Sequence, residues 1–218
     1  MNENTRHIAL GVIDVQPGFM PAEEGVRLGL PGFGELPVPG GQEIVPKVNR
    51  LMAAFAAAGH PVFTTQDFHP RETAHFSDAP DYETTWPVHC VGGTPGAELH
   101  PGLVVPEGAM RLKKGTTALR PGEPDNSYSG YNGRGEYGER LSGYLSKHDV
   151  RHVALTGLAL DYCVGKTALD LRLREGLDVT VVLDATRGIA DESVRDMLAQ
   201  FALHGIKTTT ADELLAQL

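Results

Sequence analysis

Cysteine, tryptophan and long apolar runs are all scarce in this chain. Two cysteines, Cys90 and Cys163, cannot build a disulfide framework. No apolar run approaches membrane-spanning length, and the opening MNENTRH lacks an apolar leader segment. Basic residues are outnumbered 19 to 28 by acidic ones, and the formal charge of −9 argues against a phosphate-backbone partner. These shortages exclude a secreted disulfide scaffold, a membrane protein and a nucleic-acid binder, and leave a soluble cytoplasmic protein as the expectation. The 218 residues suit a single domain, 1–218, with a full core. There is no internal repeat, linker or low-complexity tract.

The chain is organised around residues 152–170, HVALTGLALDYCVGKTALD. Residues 152–156 read as a short buried strand that ends at Gly157. Beyond it Val164, Thr167, Ala168 and Leu171 recur at spacings of three and four, which predicts a helix starting near Cys163. A cysteine in the first turn of a helix faces unpaired backbone N–H groups and the positive dipole end, which favour a thiolate. Cys163 is therefore a candidate nucleophile, although a buried structural thiol would read the same way.

Strands are expected at 7–14, 61–65, 109–112, 152–156, 178–183 and near Lys207, with helices at 44–58, 139–147, from 163 onward and 191–204. Residues 17–42 are rich in glycine and proline and read as a long surface loop. Residues 68–107 form a second long loop, of a length that usually serves function. The alternation of strands and helices argues for an α/β fold with a parallel sheet. In such a sheet ligands bind beyond the carboxyl ends of the strands. Asp14, Lys114 and Cys163 all fall at or just past such ends, so residues distant in sequence could meet at one site.

Asp67 stands just before the second loop, which carries His69, then His75, His89 and His100. Two ligands at alternate positions of an extended segment point the same way and can reach one ion, with His75 and His89 returning to complete the set. A carboxylate and several imidazoles suit zinc, iron or manganese better than calcium. Histidines scattered over a surface would give the same spacing. Cys90, beside His89, would point away from a shared ion.

The segments VIDVQPGF, QDFH, AHFS, WPVHCVGGTPGAELH, KKG with NSYSGY downstream, and GLALDYCV together resemble the nicotinamidase/pyrazinamidase branch of the isochorismatase-like cysteine hydrolases. The match runs in order along essentially the whole chain. The resemblance implies a three-layer α/β/α arrangement around a mostly parallel sheet of about six strands. It implies a catalytic set of Asp14, Lys114 and Cys163, and an oxyanion hole from the backbone of Ala159 and Cys163. A divalent metal (Zn, Fe or Mn) would be held by Asp67, His69, His75 and His89. Phe19, Trp86, Tyr128 and Leu158 would contact the substrate, and the Leu158–Ala159 peptide would be cis. The implied activity is hydrolysis of nicotinamide to nicotinate and ammonia, a step in NAD salvage, with pyrazinamide as a related substrate. A sister activity on another small amide or an enol ether is the alternative. No nucleic-acid or membrane partner is implied, and a homo-oligomer is compatible with the pattern. Pro17-Gly18 and Leu160 depart from the residues common among relatives at those positions.

Overall fold

The computed structural model describes residues 7–218, so most of the amino-terminal segment read above for a leader lies outside the described residues. Six strands form one sheet: β1 (Ile8–Ile13), β2 (Val62–Asp67), β3 (Met110–Lys114), β4 (His152–Leu158), β5 (Asp178–Arg187) and β6 (Lys207–Thr209). Their spatial order is β3-β2-β1-β4-β5-β6, and every pairing is parallel. Parallel neighbours require crossover connections; helices supply them except between β2 and β3, where residues 68–109 cross over with only a helical turn at Pro95–Ala97.

The faces of the sheet follow from alternation along each strand. In β1, Ile8, Leu10 and Val12 join one core cluster with Val48, Leu51, Met52 and Phe55 of α2 (Val45–Ala57) and Leu214 of α6 (Ala211–Leu215). Ala9 and Ile13 join the other cluster. There they meet Leu141 and Leu145 of α3 (Leu141–Lys147), Ala168 and Leu171 of α4 (Gly165–Glu175), and Met197 and Phe201 of α5 (Asp191–His204). Three layers result, with both faces of the sheet buried, which is why its strands read as apolar runs. Among the described residues no helix is long and apolar enough to cross a membrane.

Strand order reverses between β1 and β4, which opens a crevice beyond their carboxyl ends. There Ile13 pairs with Gly157. Gly157 has φ +113, and a Cβ on it would sit 2.0 Å from the Ile13 carbonyl oxygen. Only glycine allows the two strands to approach this closely at the mouth of the crevice.

The element order matches the sequence reading, with three differences. Residues 17–42 are not purely surface loop: they hold a helical turn at Pro17–Phe19 and a short helix, α1 (Ala22–Leu28), and bury Phe19, Met20 and Val38. The segment spanning Cys163 is first a wide turn, Leu160–Val164, and α4 starts only at Gly165. The terminal helix α6 was not expected at all.

Candidate active site

Four neighbouring strands each deliver one reactive side chain to the crevice. Asp14 follows β1 with a left-handed backbone (φ 48), rare for a residue with a Cβ. Its N–H is held by the carbonyl and hydroxyl oxygens of Thr65, whose hydroxyl donates to Asp14 Oδ1 at 2.6 Å. Asp14 Oδ2 is buried without a hydrogen-bond partner of good geometry, although Lys114 Nζ lies 2.9 Å away. This oxygen is thus a charge-compensated acceptor that is still uncommitted. Burial lifts the Asp14 carboxyl above the ordinary aspartate range, against the pull of Lys114.

Lys114 ends β3, with its side chain wholly buried. Its ammonium donates to Asp67 Oδ1 at 2.5 Å and to Cys163 Sγ at 3.4 Å. Burial disfavours its charge, but Asp14 and Asp67 overcome that and keep it protonated well above the usual lysine range. The adjacent Lys113 faces the opposite way, its Nζ 3.9 Å from the centre of the Phe68 ring. Strand alternation therefore separates the two lysines, as their sequence position implied.

Cys163 sits in the wide turn after β4, and its carbonyl accepts from Thr167 Oγ1 at 2.6 Å. Burial, joined by the nearby Asp14 and Asp67 carboxylates, pushes its thiol well above the ordinary range, against the pull of Lys114. The thiolate expected from a helix terminus is therefore not the resting form. The cysteine lies in the turn that leads into the helix, and burial opposes the charged form that a helix terminus favours. Its turn is anchored by Asp161, whose carboxylate accepts from the N–H groups of Ile189 and Ala190 and from Ser193 Oγ at 2.6 Å.

Beside this group lie three buried histidines, His69, His75 and His89, with one nitrogen of each within 4.8 Å of the others. His89 Nδ1 donates to the Pro87 carbonyl at 2.8 Å, and burial brings its pKa down to about 3, so the ring is neutral with Nε2 free. His75 Nδ1 lies 2.6 Å from Asp125 Oδ2. His69 Nε2 is buried with no hydrogen-bond partner, 3.5 Å from Asp67 Oδ1. Burial opposes the Asp67 charge, yet Lys114 and then His69 hold that carboxyl well below the usual range. An orphaned imidazole nitrogen, two further imidazoles and an ionised carboxylate fit a divalent transition metal. Cys90 is excluded from the cluster: it is fully buried, with Sγ donating to the Gly96 carbonyl at 3.4 Å.

Cys163, Ala159, Asp67, His75 and His89 all face one small cavity of about 30 Å³. Phe19, Trp86, Tyr128 and Tyr162 supply its aromatic walls. Trp86 Nε1 donates to the Tyr128 hydroxyl at 2.8 Å and packs edge-on against Tyr162 at 4.9 Å. Leu158 does not line the cavity; it belongs to the core cluster of α2. The Leu158–Ala159 peptide is cis.

Sequence reading missed several contributors. Leu36, Val38 and Ile189 also line the cavity. Gln16 clamps the metal-side strand: its amide donates to the Asp67 and Ala97 carbonyls and accepts from the Asp67 N–H. Its one visible signal was a polar residue two positions beyond Asp14, where the first strand leads into the loop.

The family model for the isochorismatase domain matches residues 9–213. The nicotinamidase/pyrazinamidase of Mycobacterium tuberculosis is 37% identical over 185 residues, 85% of this chain and 89% of that protein. The pyrazinamidase of Pyrococcus horikoshii in complex with zinc superposes with a TM-score of 0.73 at 34% identity, covering 94% of this chain and 99% of that one. A nicotinamidase/pyrazinamidase from Acinetobacter superposes at 0.78 with 30% identity, covering 96% and 98%.

Proposed function

The chain belongs to the isochorismatase family, and on that premise we propose that it is a nicotinamidase, converting nicotinamide and water to nicotinate and ammonia. The observation that carries the reading is one buried constellation. Lys114 Nζ lies 2.9 Å from Asp14, 2.5 Å from Asp67 and 3.4 Å from Cys163, and of these Asp67 and Cys163 reach a small aromatic cavity that His75 and His89 also line.

Because the resting sulfur is a thiol, its proton must leave as it attacks. Asp14 Oδ2 is the uncommitted base for that proton, and Lys114 holds the carboxylate in place. The sulfur bonds to the carboxamide carbon and the C=O π pair moves onto oxygen, where the backbone N–H groups of Ala159 and Cys163 receive it. As the C–N bond breaks, Asp14 returns its proton to the leaving ammonia, and a thioester remains. Asp14 then takes a proton from an attacking water, the C–S bond breaks, the proton passes back to sulfur, and the nicotinic acid formed gives its own proton to the ammonia to leave as nicotinate. A divalent ion, when bound by Asp67, His69, His75 and His89, supplies a Lewis-acidic anchor for a pyridine nitrogen. Phe19 and Trp86 fix the ring between apolar faces, which orients the carboxamide toward Cys163. Pyrazinamide carries an equivalent ring nitrogen and is expected to be accepted.

The test is ammonia release from nicotinamide by the metal-loaded protein and its Cys163→Ala variant. Turnover that vanishes in the variant supports the reading. Near-normal turnover without the sulfur would overturn the thioester route, and inactivity of the parent protein on nicotinamide would overturn the substrate.

A further inference from the structure

The three histidines are braced unequally. His89 is held by a backbone carbonyl, and His69 has no partner at Nε2. His75 alone is backed by a carboxylate: Asp125 Oδ2 lies 2.6 Å from its Nδ1, across 50 residues of sequence. Asp125 is itself fixed, since its Oδ1 accepts the Ser127 N–H at 2.8 Å, and its side chain is only 16% exposed. A proton on His75 Nδ1, shared with this carboxylate, leaves the Nε2 lone pair as the donor.

The charge arrangement gives the contact a purpose. Asp67, the carboxylate among the metal ligands assigned above, is already committed to Lys114 at 2.5 Å. Much of its negative charge is spent on that ammonium, so a bound dication receives less compensation than a free carboxylate would give. A second carboxylate acting through an imidazole restores it, because a hydrogen bond to Nδ1–H raises the basicity of Nε2 and fixes the ring.

We propose that Asp125 is a positioning residue for metal retention, acting through His75 to hold the ion that Asp67 alone binds weakly. This rests on the reading of His75 as a ligand, and the experiment separates the two. Zinc-loaded parent, Asp125→Asn, Asp125→Glu, His75→Ala and the Asp125→Asn/His75→Ala double variant are challenged with a colorimetric zinc chelator. Release rate and equilibrium affinity are read for each, with circular dichroism confirming the fold.

Asp125→Asn, nearly isosteric, should weaken zinc binding roughly 10- to 100-fold. Asp125→Glu, which keeps the charge, should recover part of that. The double variant should be no weaker than His75→Ala alone, since Asp125 acts through that ring. If His75→Ala releases zinc faster while Asp125→Asn behaves like the parent, the proposal falls and the ligand assignment stands. If His75→Ala holds zinc like the parent, the assignment falls and takes the proposal with it. Multiplying losses in the double variant would show that Asp125 acts by another route, which also overturns the proposal.

Discussion

Replacing Lys114 by methionine removes an ammonium from between two buried carboxylates while nearly keeping side-chain volume. In the native protein Nζ lies 2.9 Å from Asp14 and 2.5 Å from Asp67, with the lysine side chain 0% exposed. Breaking a buried ion pair by removing one partner costs about 3–5 kcal/mol, because the remaining charge has no compensation. That is roughly a 150- to 5,000-fold loss in the folded-to-unfolded ratio, a large share of a typical domain's stability. Lys113→Ala is the control. It removes only a solvent-facing contact with Phe68, worth about 0.5–1 kcal/mol.

Urea denaturation of chelator-treated protein measures both, since a bound dication would mask the charge left on Asp67. The pH dependence has a definite sign. The Lys114 pKa is raised above its unfolded value, so its contribution is fully present below the ordinary lysine pKa and fades only in strong alkali. The difference between parent and Lys114→Met should therefore persist to alkaline pH and shrink as pH falls, because losing the ammonium raises the Asp14 and Asp67 carboxyls and lets them take up protons. Adding Asp14→Asn to Lys114→Met removes one stranded charge and should restore part of the stability but none of the activity. A Lys114→Met midpoint no lower than that of Lys113→Ala would refute the reasoning.

Three further outcomes are expected. Thr65→Val deletes the hydroxyl that donates to Asp14 and lowers its already raised pKa, so the acid limb of kcat/KM for nicotinamide should move to higher pH; an unmoved limb would show that Asp14 is not the titrating base. Iodoacetamide should label Cys163, which borders the cavity, before the wholly buried Cys90, with a rate that climbs as pH rises, because the resting thiol must ionise first; a rate flat from about pH 6 upward would mean a preformed thiolate. The metal-loaded enzyme should hydrolyse nicotinamide and pyrazinamide but leave benzamide nearly untouched, and chelation or His69→Ala should abolish activity; comparable rates on benzamide would mean that the ring nitrogen is not gripped.

What sequence revealed and what it hid divide along a physical line. Asp14, Lys114 and Cys163 were legible because strand ends are set by local apolar patterning and parallel sheets place those ends together. The histidines were legible only as a dense stretch, since their convergence depends on a loop without periodicity. The link from Asp125 to His75 and the clamp of Gln16 on Asp67 span 50 and 51 residues, and no local pattern encodes them. Helix α1 escaped notice because it has only seven residues, includes Gly25, and leaves Val26 83% exposed, so it shows no apolar stripe. Helix α6 did leave a signal: Thr210 and Glu213 form a capping box that fixes its start. The upward shift of the Cys163 thiol was not foreseen because a helix start can be inferred from period, whereas burial of the residue cannot.

The parallel ladder doubles as a ruler. Asp14, Asp67, Lys114 and the turn to Cys163 stand at the ends of β1, β2, β3 and β4, which are consecutive in the sheet. Their lateral spacing is inherited from backbone hydrogen bonding at about 4.8 Å per strand, independent of which apolar residues fill the core. The aromatic walls come instead from elsewhere: Phe19, Trp86 and Tyr128 sit in connecting segments that the ladder does not constrain. On the proposed reading, reaction and substrate choice are thereby written in separate parts of the chain. Exchanging the segments that carry those aromatics would re-address the enzyme to a new small amide while the thiol, carboxylate and ammonium keep their separations; slipping one strand by a single residue would spare the walls and scatter the chemistry.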